Sequence, residues 1–155
     1  MSAFIGEYTC KVDNKGRILF PAALKKQVPP GEGERFVVKK DIFDRCLVLY
    51  SMDEWNRQNE LIRGRINPYN KEHNTFLRNF YRGAAEIVLD GNNRMLIPRR
   101  LLETAGIDKT AVLAGMGSKI EIWAEEVYDS VQATEDEFAR LAEKIMGDGN
   151  KEQEG

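Results

Sequence analysis

The segment Asp13-Asn14-Lys15-Gly16-Arg17 sets two cations and a carboxylate into one tight turn. A short Asp side chain can hydrogen-bond nearby backbone and shape such a turn. Gly16 can supply the positive φ, which leaves Lys15 and Arg17 free to project. The planar fork of Arg17 suits bidentate contact with a phosphate or a guanine edge. Lys15 is a point charge better suited to phosphate, and Lys11, two positions before Asp13, falls on the same strand face. The same residues also allow a purely structural turn, with Arg17 bonded to Asp13 or to a backbone carbonyl.

The pattern occurs twice. At one constant offset Gly6, Asp13, Arg17, Leu19, Pro21 and Leu24 coincide with Gly83, Asp90, Arg94, Leu96, Pro98 and Leu101. The second turn reads Asp90-Gly91-Asn92-Asn93-Arg94: the lysine is lost, and Asn93 stands at the glycine position. Asn tolerates the left-handed conformation better than most residues, so the turn can survive. Arg94 is kept, and Arg99 and Arg100 follow the proline. The first turn is therefore expected to be the stronger nucleic-acid contact and the second an accessory or structural copy.

The elements around the turns repeat as well. Tyr8–Val12 and Ile18–Phe20 read as strands flanking the first turn, and Ile87–Leu89 and Met95–Ile97 as strands flanking the second. Pro21 starts a short helix, where its missing N–H costs least. Phe36–Val38 and Cys46–Tyr50 follow as strands. Ser51 is expected to cap a helix as a capping box with Glu54, with Met52, Trp55, Ile62 and Ile66 near one face. A connecting helix over about 68–80 carries Tyr69, Phe76, Leu77 and Phe80, an apolar stripe that packs on the sheet or lies between subunits. Residues 111–123 read as a hairpin around Gly115 and Gly117. One helix from about Glu125 to Ile145 follows, bearing Val127, Val131, Phe138, Leu141, Ala142 and Ile145. The first repeat spans about 4–66 and the second about 81–146, in a single unit over 1–146 with no polar linker. Residues 147–155 are expected to form a disordered acidic tail.

Length and composition bound the rest. A chain of 155 residues with 42% hydrophobic and 31% charged residues fits one globular domain. Its apolar runs are too short to cross a membrane, and no secretory signal is apparent. Cys10 and Cys46 lie in apolar strands, as reduced thiols of a cytoplasmic protein would. The net charge of −2 is uneven: residues 1–40 carry eight Lys/Arg against four Asp/Glu, and residues 124–155 three against ten. A basic N-terminal face can hold phosphate while an acidic end keeps the protein soluble.

With both turns, their prolines and the late glycine hairpin Gly115–Trp123 in place, the chain resembles the MraZ family from about Phe4 to Tyr128. The resemblance implies an α+β fold: an internally duplicated swapped-hairpin β-barrel, related to AbrB-like regulators and MazE-like antitoxins and decorated with helices. It implies a bacterial transcriptional regulator, mostly a repressor of its own division and cell-wall gene cluster. It further implies a ring-shaped homo-oligomer that binds short direct repeats in promoter DNA, in the cytoplasm and at the nucleoid. By position, DNA contact falls to Lys15 and Arg17, and less directly to Arg94. Lys11 joins them as a neighbouring cation, and Asp13, Gly16, Asp90 and Asn93 form the turns. A ring would multiply the weak affinity of one turn.

Other classes find little support. The single histidine, His73, lies on an expected helix, no Cys/His pair has metal-ligand spacing, and neither glycine turn is a phosphate loop. No catalytic residue, cofactor, metal, membrane partner or small-molecule substrate is expected. The competing reading is an interaction module, antitoxin-like or an adaptor barrel, in which the turns are structural only. Lys15 and Arg17 at a projecting tip favour DNA.

Overall fold

The computed structural model describes residues 3–29, 31 and 34–147. The expected tail therefore lies outside the described residues except for Gly147, as does part of the loop after α1. In the first half come β1 (Glu7–Lys11), β2 (Arg17–Leu19), α1 (Ala22–Lys25), β3 (Arg35–Lys40), β4 (Leu47–Ser51) and α2 (Met52–Arg63). Helix α3 (Lys71–Tyr81) connects to β5 (Ala85–Val88), β6 (Arg94–Leu96), α4 (Arg99–Ala105), β7 (Thr110–Gly115), β8 (Ile120–Ala124), α5 (Glu125–Ser130) and α6 (Glu135–Met146).

The fold is α+β. Six strands pair antiparallel in the order β1-β7-β8-β4-β3-β5, and β2 and β6 form a separate pair. Among the described residues the hydrogen-bonded ladders do not close into a barrel. The two halves interleave: β1 pairs with β7 of the second half, β5 with β3 of the first, and β4 and β8 meet at the centre. Each hairpin gives its second strand to the other hairpin, since β2 pairs with β6 while β1 and β2 are joined by a single Val12–Ile18 bridge.

That exchange places the turns. Strands β2 and β6 bury only their middle residues, Ile18 and Met95, in the main core, where they pack with Phe20, Phe36, Leu49, Ile97, Leu113 and Ile122. The alternation leaves Arg17, Leu19, Arg94 and Leu96 on the outer face. Proline precedes each following helix, with Pro21 and Pro98 at the N-cap positions of α1 and α4.

Three expectations about helices need correction. The single helix over 125–145 is two, α5 and α6. Val131 leaves helical geometry, and Thr134 is extended and accepts the Glu137 amide, restarting the chain as a new N-cap. The connecting helix begins at Lys71 under an Asn70 cap, so Tyr69 stands before it, 96% exposed and off the apolar stripe. The capping box at Ser51 is half made. Ser51 Oγ accepts the Glu54 amide at 3.2 Å, but the Glu54 carboxylate turns to Arg57 and Gln58. Trp55 stacks on Phe80 at 5.8 Å, so α2 and α3 join through aromatic rings.

Candidate nucleic-acid interface

The two turns have the same skeleton. Asp13 Oδ1 accepts the amides of Lys15 and Arg17, both at 2.9 Å, and Oδ2 accepts Arg17 Nε at 2.7 Å. In the second turn Asp90 Oδ1 accepts the amides of Asn92 at 2.8 Å and Arg94 at 2.9 Å, and Oδ2 accepts Arg94 Nε at 3.0 Å. The Arg17 amide has the largest effect on the Asp13 carboxyl and lowers it; burial opposes, and the Arg17 guanidinium and the Lys15 amide add to the lowering, so the carboxyl is held below its ordinary range. The Arg94 amide does the same for Asp90. Gly16 takes φ +85° and Asn93 takes φ +60°, the one non-glycine residue with positive φ among the described residues.

The turns also lock to each other. Gly16 O accepts the Ile97 amide at 3.0 Å, and Asn93 O accepts the Phe20 amide at 2.8 Å. These are equivalent bonds of the repeat, so the turns lie side by side across the β2–β6 pair. Across that pair Arg17 stands opposite Leu96, and Leu19 opposite Arg94. Leu19 and Leu96 are 60% and 56% exposed, so the outer face carries two guanidinium groups between two uncovered apolar side chains.

Of each guanidinium, the Asp engages only Nε–H. Neither Nη of Arg17 or Arg94 has a protein acceptor among the described residues. The carboxylate thus fixes the plane of the guanidinium and leaves its outer edge open. The structural and DNA-contacting readings of this pair are therefore compatible: the same bond that builds the turn aims the fork. Lys15 is exposed at the tip of the first turn, and Lys11 is exposed at the end of β1.

Two further cations reach the turns from distant sequence. Arg99 Nη2, on α4, donates to Asn14 O at 3.1 Å, which adds a third cation to the first turn. Lys25, on α1, donates its ammonium to Asn93 Oδ1 in the second. Neither contact has a local sequence signal. Arg100 instead bonds Gly83 O, away from both tips.

Elsewhere, His73 Nδ1 accepts the Asn67 amide, a bond at the start of α3. Among the described residues one group with metal-ligating atoms, Asp41, Cys46 and Glu121, falls within 4.8 Å. It is assembled where the turn between β3 and β4 meets β8, so no linear spacing announces the whole group. Burial, with smaller effects from Glu121, Asp41 and Asp44, pushes the Cys46 thiol up to about 12. Cys46 packs with Val112 and Trp123, as a buried apolar side chain would. No helix among the described residues is long and apolar enough to cross a membrane.

A family model described as "MraZ protein, putative antitoxin-like" matches residues 3–79 and again 80–147, one match for each half. The chain is 43% identical over 148 residues to the transcriptional regulator MraZ of Christiangramia forsetii, covering 95% of each protein. It is 39% identical over 153 residues to that of Cytophaga hutchinsonii, covering 98% of this chain and all of the relative. With the protein of the same name from Desulfitobacterium hafniense it shares 38% identity over 148 residues, covering 94% of this chain and 99% of the relative. All three carry the name of a regulator and not of an enzyme.

Proposed function

This chain belongs to the MraZ family, and on that premise we propose that it is a DNA-binding transcriptional regulator that reads promoter DNA through its paired turns. The observation that carries the proposal is the geometry of Arg17. Its Nε is held by Asp13 while neither Nη has a protein acceptor among the described residues, beside an exposed Lys15. A guanidinium fixed in this way meets the edge of a base or a phosphate with little further loss of rotamer freedom. Arg94 repeats the geometry without the lysine, and Lys11 and Arg99 extend the cationic surface. Asp13, Gly16, Asp90 and Asn93 serve as turn formers.

The finer reading is that of a repressor acting on its own division and cell-wall gene cluster. The chain assembles as a ring-shaped homo-oligomer over short direct repeats and works in the cytoplasm, at the nucleoid. Residues 1–146 act as one duplicated unit. The exchange of β2 and β6 between hairpins supports a swapped-hairpin barrel. Repetition supports the use of DNA repeats: one turn offers few charges, whereas linked copies bind at a high effective concentration.

The test is a fluorescence anisotropy titration with the duplex upstream of the protein's own gene and with a scrambled duplex, at two salt concentrations. Saturable binding that prefers the natural duplex and weakens steeply with salt is the expected result. Equal binding to both duplexes would remove sequence-specific regulation, and no binding to either would favour the interaction module.

A further inference from the structure

Every residue of helix α6 is exposed. Phe138, Leu141 and Ile145 recur at helical spacing along one face, and Phe138 is 68% and Ile145 60% exposed. Glu135 and Glu137 precede Phe138 and Leu141 by three and four positions, so they extend the same face at its acidic end. A helix of 12 residues with no buried side chain is marginal in water on its own, so this face calls for a partner.

The same chain carries a surface of the opposite character. A groove of about 350 Å³ lies between the end of β3, the loop after it and α3. Its cations are Lys39, Lys40 and Arg82 against one carboxylate, Asp41, and its apolar walls include Ile42 and Phe76. Lys39 is buried, with its ammonium 4.3 Å from the centre of the Phe80 ring and the Lys40 carbonyl as its one hydrogen-bond acceptor among the described residues. An ammonium has three donors, so this one lacks acceptors. Ion pairs among the described residues involve none of the three groove cations and no residue of α6.

We propose that α6 of one copy docks in the Lys39–Lys40–Arg82 groove of a second copy. Phe138 and Leu141 cover Ile42 and Phe76, and Glu135 and Glu137 supply acceptors to the cations. Charge complementarity selects this occupant: the acidic apolar helix and the cationic apolar groove are separate surfaces of one chain, and no ion pair among the described residues joins either of them to another part of it. Because the two surfaces differ, the contact is heterologous and adds copies head to tail, closing a ring if the rotation permits. The inference rests on the self-assembly part of the reading above and is independent of DNA contact.

The experiment uses the full chain without DNA and reads mass by light scattering. One variant reverses the groove (Lys40→Glu with Arg82→Glu), and the other reverses the helix (Glu135→Lys with Glu137→Lys). Each alone should drop from the wild-type assembly to a smaller species. Mixed in equal amounts they should regain the wild-type mass, because each helix then meets a groove of opposite charge. If the groove variant fails to fold by circular dichroism, Arg82→Glu alone replaces it. Variants that keep the wild-type mass, or a mixture that stays small, would overturn the docking while leaving assembly by another face intact. A helix folding back onto its own groove would appear as a monomeric wild type, which would overturn both the docking and the ring.

Discussion

The two turns share an Asp, an Arg and the same three hydrogen bonds to the Asp carboxylate, yet they differ at the position where the backbone turns left-handed. In the first turn that position is Gly16, and an added Cβ would meet Ile97 O at 3.1 Å and Leu102 Cδ1 at 3.3 Å. In the second it is Asn93, and the residue equivalent to Leu102 is Lys25, whose ammonium bonds the Asn93 side chain. Glycine under leucine and asparagine beside lysine are thus two solutions for one backbone. The first leaves the tip to Lys15, Arg17 and Arg99. The second uses a lysine internally and keeps Arg94 as the one open cation of its turn. A duplicated motif can keep its geometry while its two copies divide structural and binding roles.

The largest expected effect is on DNA. Arg17→Ala should lower affinity by roughly tenfold or more for each engaged turn, the scale of a lost bidentate contact of about 1–3 kcal/mol. Assembly mass and melting temperature should stay near wild type, and a titration beside light scattering checks both. Next comes Gly16→Ala, which forces a Cβ into φ +85° against a carbonyl. It should destabilise the fold by about 1–3 kcal/mol in chemical denaturation. Asn93→Gly, by contrast, should change stability by less than about 1 kcal/mol, because glycine gains in the left-handed region what the lost Lys25 bond removes.

A smaller effect should follow from giving the second turn its missing cation. Asn92→Lys should raise affinity and steepen the logarithmic salt dependence by about 0.9 for each added phosphate contact. The smallest effect is on pH dependence. Asp13 and Asp90 both have depressed carboxyl pKa values. Their stabilisation is present above the unfolded value of about 4 and is lost as pH falls through the folded value. Thermal melts of wild type and Asp13→Asn should differ by a constant amount at neutral pH and converge only below about pH 4.

What could be read from the sequence was what is local. Asp13 and Arg17 are four residues apart, so one segment carries the whole turn, and offset comparison finds its copy. The break at Val131–Thr134 was legible too, since Thr134 and Glu137 have capping-box spacing, but the apolar period of Phe138 and Ile145 masked it. Lys25 and Arg99 were not legible, because their contacts depend on the exchange of β2 and β6 between hairpins. The sheet order and the meeting of Cys46 with Glu121 are hidden for the same reason: local patterning indicates that a strand exists but not which strand it pairs with.

The most direct measurement is a gel-shift titration of wild type, Arg17→Ala and Arg94→Ala against the duplex upstream of the gene, at matched assembly mass and two salt concentrations. Binding lost in Arg17→Ala, weakened less in Arg94→Ala and steeply salt-sensitive in wild type is the predicted result. Equal losses in the two variants would contradict the division of roles between the turns. Wild-type affinity retained in Arg17→Ala would contradict DNA contact by the first turn.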